Sequence, residues 1–347
     1  MTADPIAADR ATNSRGDQRL TDLKYRWPAR YRASWAALLL VILGAAVVAP
    51  HALSGDSITL VTALAGVLAL ASFGQVLIVT TGAIDLSISA IVSVAAGIVV
   101  HYADSGTNVW LLALLALVVC AVLSLINGVL IVILRLNALI VTLATVGAIT
   151  GLIQLWTGVA LSASARTPQP LVDIAQAQVG SINAVFILAV ITGAVLAYVL
   201  NKTRAGKSIA LAGSNPRAAE MLGIRVKLVH LSAFTLAGVL YGIAGVMLAG
   251  YISSPDVLSG ASYQLLAITV AGVAGVLFTG GPASVASVIG SCVFLVLLDQ
   301  VLSIKGMDAG QRVVIQGLVL AVAVAAITVS QYGAARFNKL RPRRPTP

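Results

Sequence analysis

Two carboxylates, Asp85 and Asp299, stand inside long apolar stretches of the chain. An ionisable group at mid-bilayer costs about 2.5–3.5 kcal/mol on insertion scales, which makes such acids functional candidates. If they bound H⁺ or Na⁺, the chain would be an ion-coupled transporter. Asp85 follows Thr80-Thr81-Gly82 and is expected just inside a helix, where a carboxylate also stabilises the first turn. Asp299 precedes Gln300 at a helix end, close enough to water for solvation alone to account for it. Ser87, Ser89, Asn127, Thr142, Thr145 and Gln154 add hydroxyls and amides to apolar surroundings. As a cluster they could give a polar solute the weak contacts a path requires; singly, each could bond helix to helix. His51, His101 and His230 lie in separate connections, with no metal-ligand cluster and no paired acids. Neither an intramembrane enzyme nor a metal or other cofactor is expected. Cys120 and Cys292 both fall in apolar runs, so no disulfide framework is indicated. Gly206-Lys207-Ser208 imitates the end of a phosphate-binding loop, but Asn201 occupies the place of that pattern's first glycine. Any nucleotide that drives this protein is hydrolysed by another subunit.

These residues must be positioned by membrane helices. Of 347 residues, 59% are hydrophobic and 10% charged, with a mean hydropathy of +0.99. A soluble domain carries about 25% charged residues. Only 5% are aromatic, and unbroken apolar runs argue against an outer-membrane barrel. The expected fold is an all-α polytopic membrane protein. About 20 apolar residues cross the hydrocarbon, and ten stretches qualify: 34–50, 58–79, 83–101, 109–134, 139–158, 180–200, 228–251, 264–279, 282–301 and 312–331. The first and eighth are short. Gly238, Gly242 and Gly245 give the seventh a small-residue face suited to close helix packing.

Cations set the orientation. Seven Lys and Arg fall in the first 33 residues, one at Arg135, six in 201–227 and five in the C-terminal tail. Only Arg166, Lys305 and Arg312 remain for the other side. Both termini are therefore expected in the cytoplasm: a tail over 1–33, too long and mixed for a signal peptide, a transmembrane domain over 34–331, and a basic tail over 332–347. The net charge of +10 is topological, with a share for anionic lipid at the tails, and nucleic acid is not expected as a partner.

Two connections are long. The outer loop 159–179 carries Arg166-Thr167-Pro168-Gln169-Pro170 and Asp173, either a contact surface or an ordinary solvated loop. In the inner segment 201–227, Ser214 or Asn215 can cap a helix, Pro216 suits its first turn and Gly223 can end it. Such a helix of about two turns is unstable alone, so Ala218, Ala219, Met221 and Leu222 must pack on the protein's own helix ends or on a partner.

The run Gly213-Ser214-Asn215-Pro216-Arg217-Ala218-Ala219-Glu220-Met221-Leu222-Gly223-Ile224 closely resembles the coupling loop of bacterial ABC importer permeases for ribose, galactose, xylose and the autoinducer-2 signal. The likeness spans roughly 58–330. Thr81-Gly82-Ala83-Ile84-Asp85-Leu86-Ser87-Ile88-Ser89 is similar to the family's Gly-Gly-Ile-Asp-Leu-Ser stretch. Asn127-Gly128 and Asn137-Ala138-Leu139-Ile140-Val141-Thr142-Leu143-Ala144-Thr145 match its Asn-Gly and Phe-Ile-Val-Thr-Leu-Gly-Thr pair. Thr203-Arg204-Ala205-Gly206-Lys207 opens the coupling segment as the family does, and Gly280-Gly281 with Gly290 resembles its later glycine-rich turn.

The resemblance implies a homodimer or heterodimer of ten-helix permeases in the bacterial plasma (inner) membrane. It further implies two cytoplasmic ABC ATPase subunits and an extracytoplasmic solute-binding protein that does most of the selecting. Asn215, Arg217, Ala218, Ala219, Glu220 and Gly223 carry over as ATPase-coupling residues. Glu220, the single glutamate of the chain, stands where the family usually has Arg. Asp85, Ser87, Ser89, Asn127, Thr142 and Thr145 are the candidate translocation path. The solute expected is a monosaccharide or related polar molecule. Permeases for branched-chain amino acids or nucleosides, in the same superfamily, remain the nearest alternative.

Overall fold

The computed structural model describes residues 29–103, 108–157, 166–256 and 258–340. Most of the N-terminal tail, part of the outer loop and the last seven residues lie outside this range. Among the described residues there are thirteen α-helices and one two-stranded hairpin. Helix α1 spans Ala29–Val48, α2 Gly55–Thr80, α3 Ile88–His101, α4 Val109–Val132 and α5 Ala138–Thr157. A surface helix α6 (Gln169–Gln176) and strands β1 (Gln178–Val179) and β2 (Ile182–Asn183) lead into α7 (Ala184–Lys202). Then come α8 (Arg204–Ser214), α9 (Pro216–Met221), α10 (Val226–Ile252), α11 (Ala261–Val273), α12 (Val285–Ile304) and α13 (Ala309–Leu340).

Eight of these are long and apolar enough to cross a membrane, and α3 and α11 are shorter apolar helices. They account for the ten expected stretches, with one difference of kind. The third and eighth stretches are not continuous helices: residues 81–87 and 274–284 are non-helical. Gly82 (φ 86°), Gly275 (φ 74°), Gly280 (φ 93°) and Gly281 (φ 119°) occupy left-handed backbone there, which favours glycine and interrupts a helix. Asp85 accordingly precedes α3 instead of lying in its first turn. Asp85 and Ser87 in the first interruption and residues 274–276 in the second are buried in protein, while Gly82, Thr279 and Pro282 are exposed.

α2 is the axis of the molecule. Nearly all its residues from Val61 to Thr80 are buried, and α10 packs along it, as do α7, α12 and α11. Small residues make this approach possible. A side chain at Gly66 would run into the backbone of Phe186 at 2.7 Å, and one at Gly74 into the ring of Tyr241 at 2.5 Å. On α10, Gly238 abuts Cys120 and Ser124 of α4, a Cβ at Gly242 would lie 3.2 Å from Leu117 Cα, and Gly245 abuts Val92 of α3. The small-residue face of the seventh stretch is thus a packing face.

α4 and α5 instead turn Leu111, Leu115, Val118, Val122, Ile126, Leu139, Ile140, Leu143 and Leu155 outward. So broad an apolar surface suits lipid or another membrane subunit, not water. The bundle has a basic end, where α7, α8 and α9 bring Lys202, Arg204, Lys207 and Arg217, and a far end. There the β1–β2 hairpin is tied to α2 by Thr59 Oγ1 donating to Ser181 O (3.2 Å) and Asn183 N donating to Thr62 Oγ1 (3.1 Å).

Candidate functional site

At the basic end, segment 201–227 is more helical than expected. α8 fills part of this connection, because Thr203 caps it by accepting from Gly206 N (3.2 Å) and Gly206 lets it fold back against the backbone of Val199 and Leu200. Asn215, not Ser214, caps α9: its Oδ1 accepts from Ala218 N at 3.1 Å. Pro216 opens the helix, and Gly223 follows it at φ 78°. Of the residues expected to couple, only Ala219 is fully buried, against Ala212 and Val226. Ala218 is half-buried; Asn215, Arg217, Glu220 and Gly223 are exposed. Met221 and Leu222 are exposed to 89% and 71%. One small side chain anchors α9 on its own protein, and its two large apolar side chains are uncovered.

Inside the bundle, four of the six candidate path residues form one hydrogen-bonded chain. Asp85 Oδ1 accepts from Ser87 N (2.7 Å) and Ser87 Oγ (2.5 Å). Ser87 Oγ accepts from Asn127 Nδ2 (2.9 Å), and Asn127 Oδ1 accepts from Thr145 Oγ1 (2.6 Å). The carboxylate's partner at the helix start explains why the turn before α3 is stable without a helical first turn: the side chain does what a backbone carbonyl would. Tyr241 of α10 faces Asp85, and its hydroxyl donates to Gln75 Oε1 of α2 at 3.2 Å. Asp85, Ser87, Asn127, Gln75 and Tyr241 are all fully buried. Hydrogen bonds thus join the non-helical stretch to α4 and α5, and separately α10 to α2, with Tyr241 set against Asp85 where the two groups meet.

The remaining two candidates lie apart from it. Thr142 bonds back to Ala138 O of its own helix (2.8 Å). Ser89 Oγ donates to Gln264 Oε1 of α11 (2.9 Å). Gly260 N, just before α11, donates to Ser93 Oγ of α3 (3.0 Å), so the two short helices are joined near their first turns.

At the far end the structure opens a cavity of about 720 Å³ lined by Thr59, Gln176, Gln178, Asn183, Tyr251 and Ser259 together with Ser262 and Tyr263. Sequence reading missed it, because its lining comes from separated elements that no single motif marks. Its polar side chains are neutral amides, hydroxyls and phenols, and Leu64, Leu248 and Ile252 complete the lining. A second cavity of about 270 Å³ shares Ser262 and Tyr263 with it and reaches Asp299, Arg312 and Gln316. Asp299 is not solvated alone: Arg312 Nη1 donates to its Oδ2 (2.8 Å) and Gln316 Nε2 to its Oδ1 (3.0 Å). Among the described residues no group of His, Cys, Asp and Glu is placed to hold a metal ion.

Comparison with known proteins agrees with this architecture. Residues 57–324 match the family described as branched-chain amino acid transport system / permease component. The chain is 28% identical over 268 residues to the autoinducer 2 import system permease protein LsrC of Escherichia coli (strain SMS-3-5), covering 77% of this chain and 78% of that one. It is 28% identical over 282 residues to the protein of the same name from Salmonella typhi, covering 81% and 80%. No solved structure matches. With most of its membrane region matched, and with helices of the number and length to cross a bilayer repeatedly, the chain is a multi-pass bacterial inner-membrane transport component and belongs to the branched-chain amino acid transport system permease family.

Proposed function

We propose that the chain is the permease subunit of an ABC importer for a monosaccharide-like solute, and that it works by alternating access without bond-making chemistry of its own. The basic end faces the cytoplasm, in keeping with the cation distribution. There, α9 docks on an ABC ATPase subunit, with Arg217, Ala218, Glu220, Met221 and Leu222 toward the partner and Asn215 and Gly223 holding the helix ends. The far end faces an extracytoplasmic solute-binding protein, and a second permease subunit covers part of the apolar surface of the bundle.

The observation that carries this reading is the separation of two unlike surfaces. A short capped helix with uncovered Met221 and Leu222 sits at one end, and a neutral, amide- and hydroxyl-lined cavity at the other. Large apolar side chains on a polar end are what a partner covers. Neutral donors and acceptors beside the Tyr251 and Tyr263 rings suit the hydroxyls and apolar face of a sugar. The names of the relatives, which import autoinducer 2, favour the same solute class. The Asp299 carboxylate already binds Arg312 and Gln316, which leaves the ammonium of a zwitterionic amino acid less to bind than a polyol has.

Within the buried interior, Asp85, Ser87, Asn127 and Thr145 hold the non-helical stretch in place, and Ser89 and Thr142 complete the polar lining that a moving solute would meet. Uptake of labelled ribose, xylose, galactose and leucine, compared between cells with the gene intact and deleted, tests the assignment. The expected result of deletion is loss of ATP-dependent uptake in the sugar class. Selective loss of leucine uptake supports the amino-acid alternative, and uptake that survives ATP depletion but collapses with an uncoupler points to ion coupling.

A further inference from the structure

Three backbone segments, distant in sequence, meet at the basic end without a side chain between them. Gly213 closes α8, Gly82 follows α2, and Gly280 precedes α12. A Cβ at Gly213 would overlap the carbonyl oxygen of Thr80, and one at Gly280 would lie 2.5 Å from Gly213 O and 3.2 Å from Gly82 N. A Cβ at Gly82 would approach Thr279 O at 3.5 Å. Gly281 N closes the contact by donating to Thr80 O at 3.0 Å. Both interrupted stretches begin or end here: residues 81–87 lead into α3, and residues 274–284 follow α11.

We infer that this three-glycine junction is the joint through which movement of the coupling segment reaches both interrupted helices at once. The inference rests on the reading of α9 as the ATPase contact. α9 is fixed to α8 through Asn215 and the Ala219–Ala212 contact, so a displacement of α9 moves Gly213. Side chains at an interface can absorb small shifts by changing rotamer; backbone seated on backbone has no such freedom. The shift therefore passes into the turn after Gly82 and the turn before α12 together. The two short helices are further tied by Ser89–Gln264 and Gly260–Ser93, and the first turn of α11 carries Ser262 and Tyr263 into the far-end cavity. A glycine contact serving only to stabilise the fold would not connect these two ends.

The test uses the complex isolated from native membranes through a tag on the permease and placed in native-lipid discs. Hydrogen–deuterium exchange of residues 259–264 is followed without nucleotide and with ATP plus vanadate. In the unaltered complex, nucleotide is expected to change the exchange rate at least fivefold. In Gly213→Ala, ATP hydrolysis persists within about threefold while the exchange response falls below twofold. Gly147→Ala, where a Cβ meets nothing within 4 Å, retains the full response.

A full response in Gly213→Ala, or none in the unaltered complex, overturns the joint. Should Gly213→Ala fail to assemble, the exchange of residues 81–87 and 274–284 in the unaltered complex replaces it: nucleotide is expected to change both stretches together, and a change confined to one of them overturns the joint. Failure of the ATPase to bind, or binding indifferent to Met221→Glu with Leu222→Glu, strikes the coupling reading and the joint with it. An ATPase that is bound and active beside a fully responsive Gly213→Ala strikes the joint alone.

Discussion

Two short polar stretches of this chain use the same kinds of residue in opposite ways. From 81 to 89, Asp85 and Ser87 turn inward and bond in series with Asn127 of α4, all three fully buried. From 215 to 223, Asn215 caps its own helix and most other side chains turn outward. The glycines differ in the same manner. Gly213, beside the first stretch, has no room for a methyl group, whereas Gly223 has open space around it and is required only by its φ of 78°. Polarity in a membrane protein thus marks either an internal fastening or a partner surface, and burial tells which.

Stability measurements on the detergent-purified permease can break that contrast. Asn127→Leu removes a donor and an acceptor from buried partners and is expected to cost the most, about 3 kcal/mol, read as a lowered midpoint of thermal unfolding. Gly223→Val places a β-branched residue at positive φ and should cost about 1–3 kcal/mol, with Gly223→Asn close to wild type because Asn tolerates that conformation. Asn215→Ala removes the cap of α9, worth about 1 kcal/mol. Arg312→Gln breaks a partly exposed ion pair and should cost about 0.2–1 kcal/mol. Met221→Glu with Leu222→Glu alters only exposed side chains and should stay within about 0.5 kcal/mol. Yet this last change is expected to abolish ATPase binding in a pull-down with the isolated ATPase. If it also lowers the unfolding midpoint by several degrees, α9 packs on its own protein and the contrast fails.

Much of this was legible in the residues. Hydropathy located ten apolar stretches, and cap, proline and glycine located α9, because each signal is local. The polar chain was visible as a set of candidates but not as a chain: Asn127 and Ser87 are 40 residues apart, and only the fold brings them together. The interruptions were hidden because hydropathy counts apolar residues without reading φ, so Ala83 and Ile84 passed as helix. Thr81-Gly82 and Thr279-Gly280-Gly281 lie far apart in the chain, and nothing local in either turn marks that their backbones touch. α8 was masked by Gly206 and Gly213, which read as loop residues but are there for close approach.

The central position of α2 also bears on how the protein is made. Gln75 finds its partner Tyr241 only 166 residues later in the chain. At synthesis rates of about 5–20 residues per second, roughly ten to thirty seconds separate their emergence. During that interval the side-chain carbonyl oxygen of Gln75 has no Tyr241 hydroxyl to accept from, in a membrane where an unpaired polar group is costly. Insertion is therefore expected to shelter α2, or hold it at the edge of the bilayer, until α10 arrives to close the bundle around it.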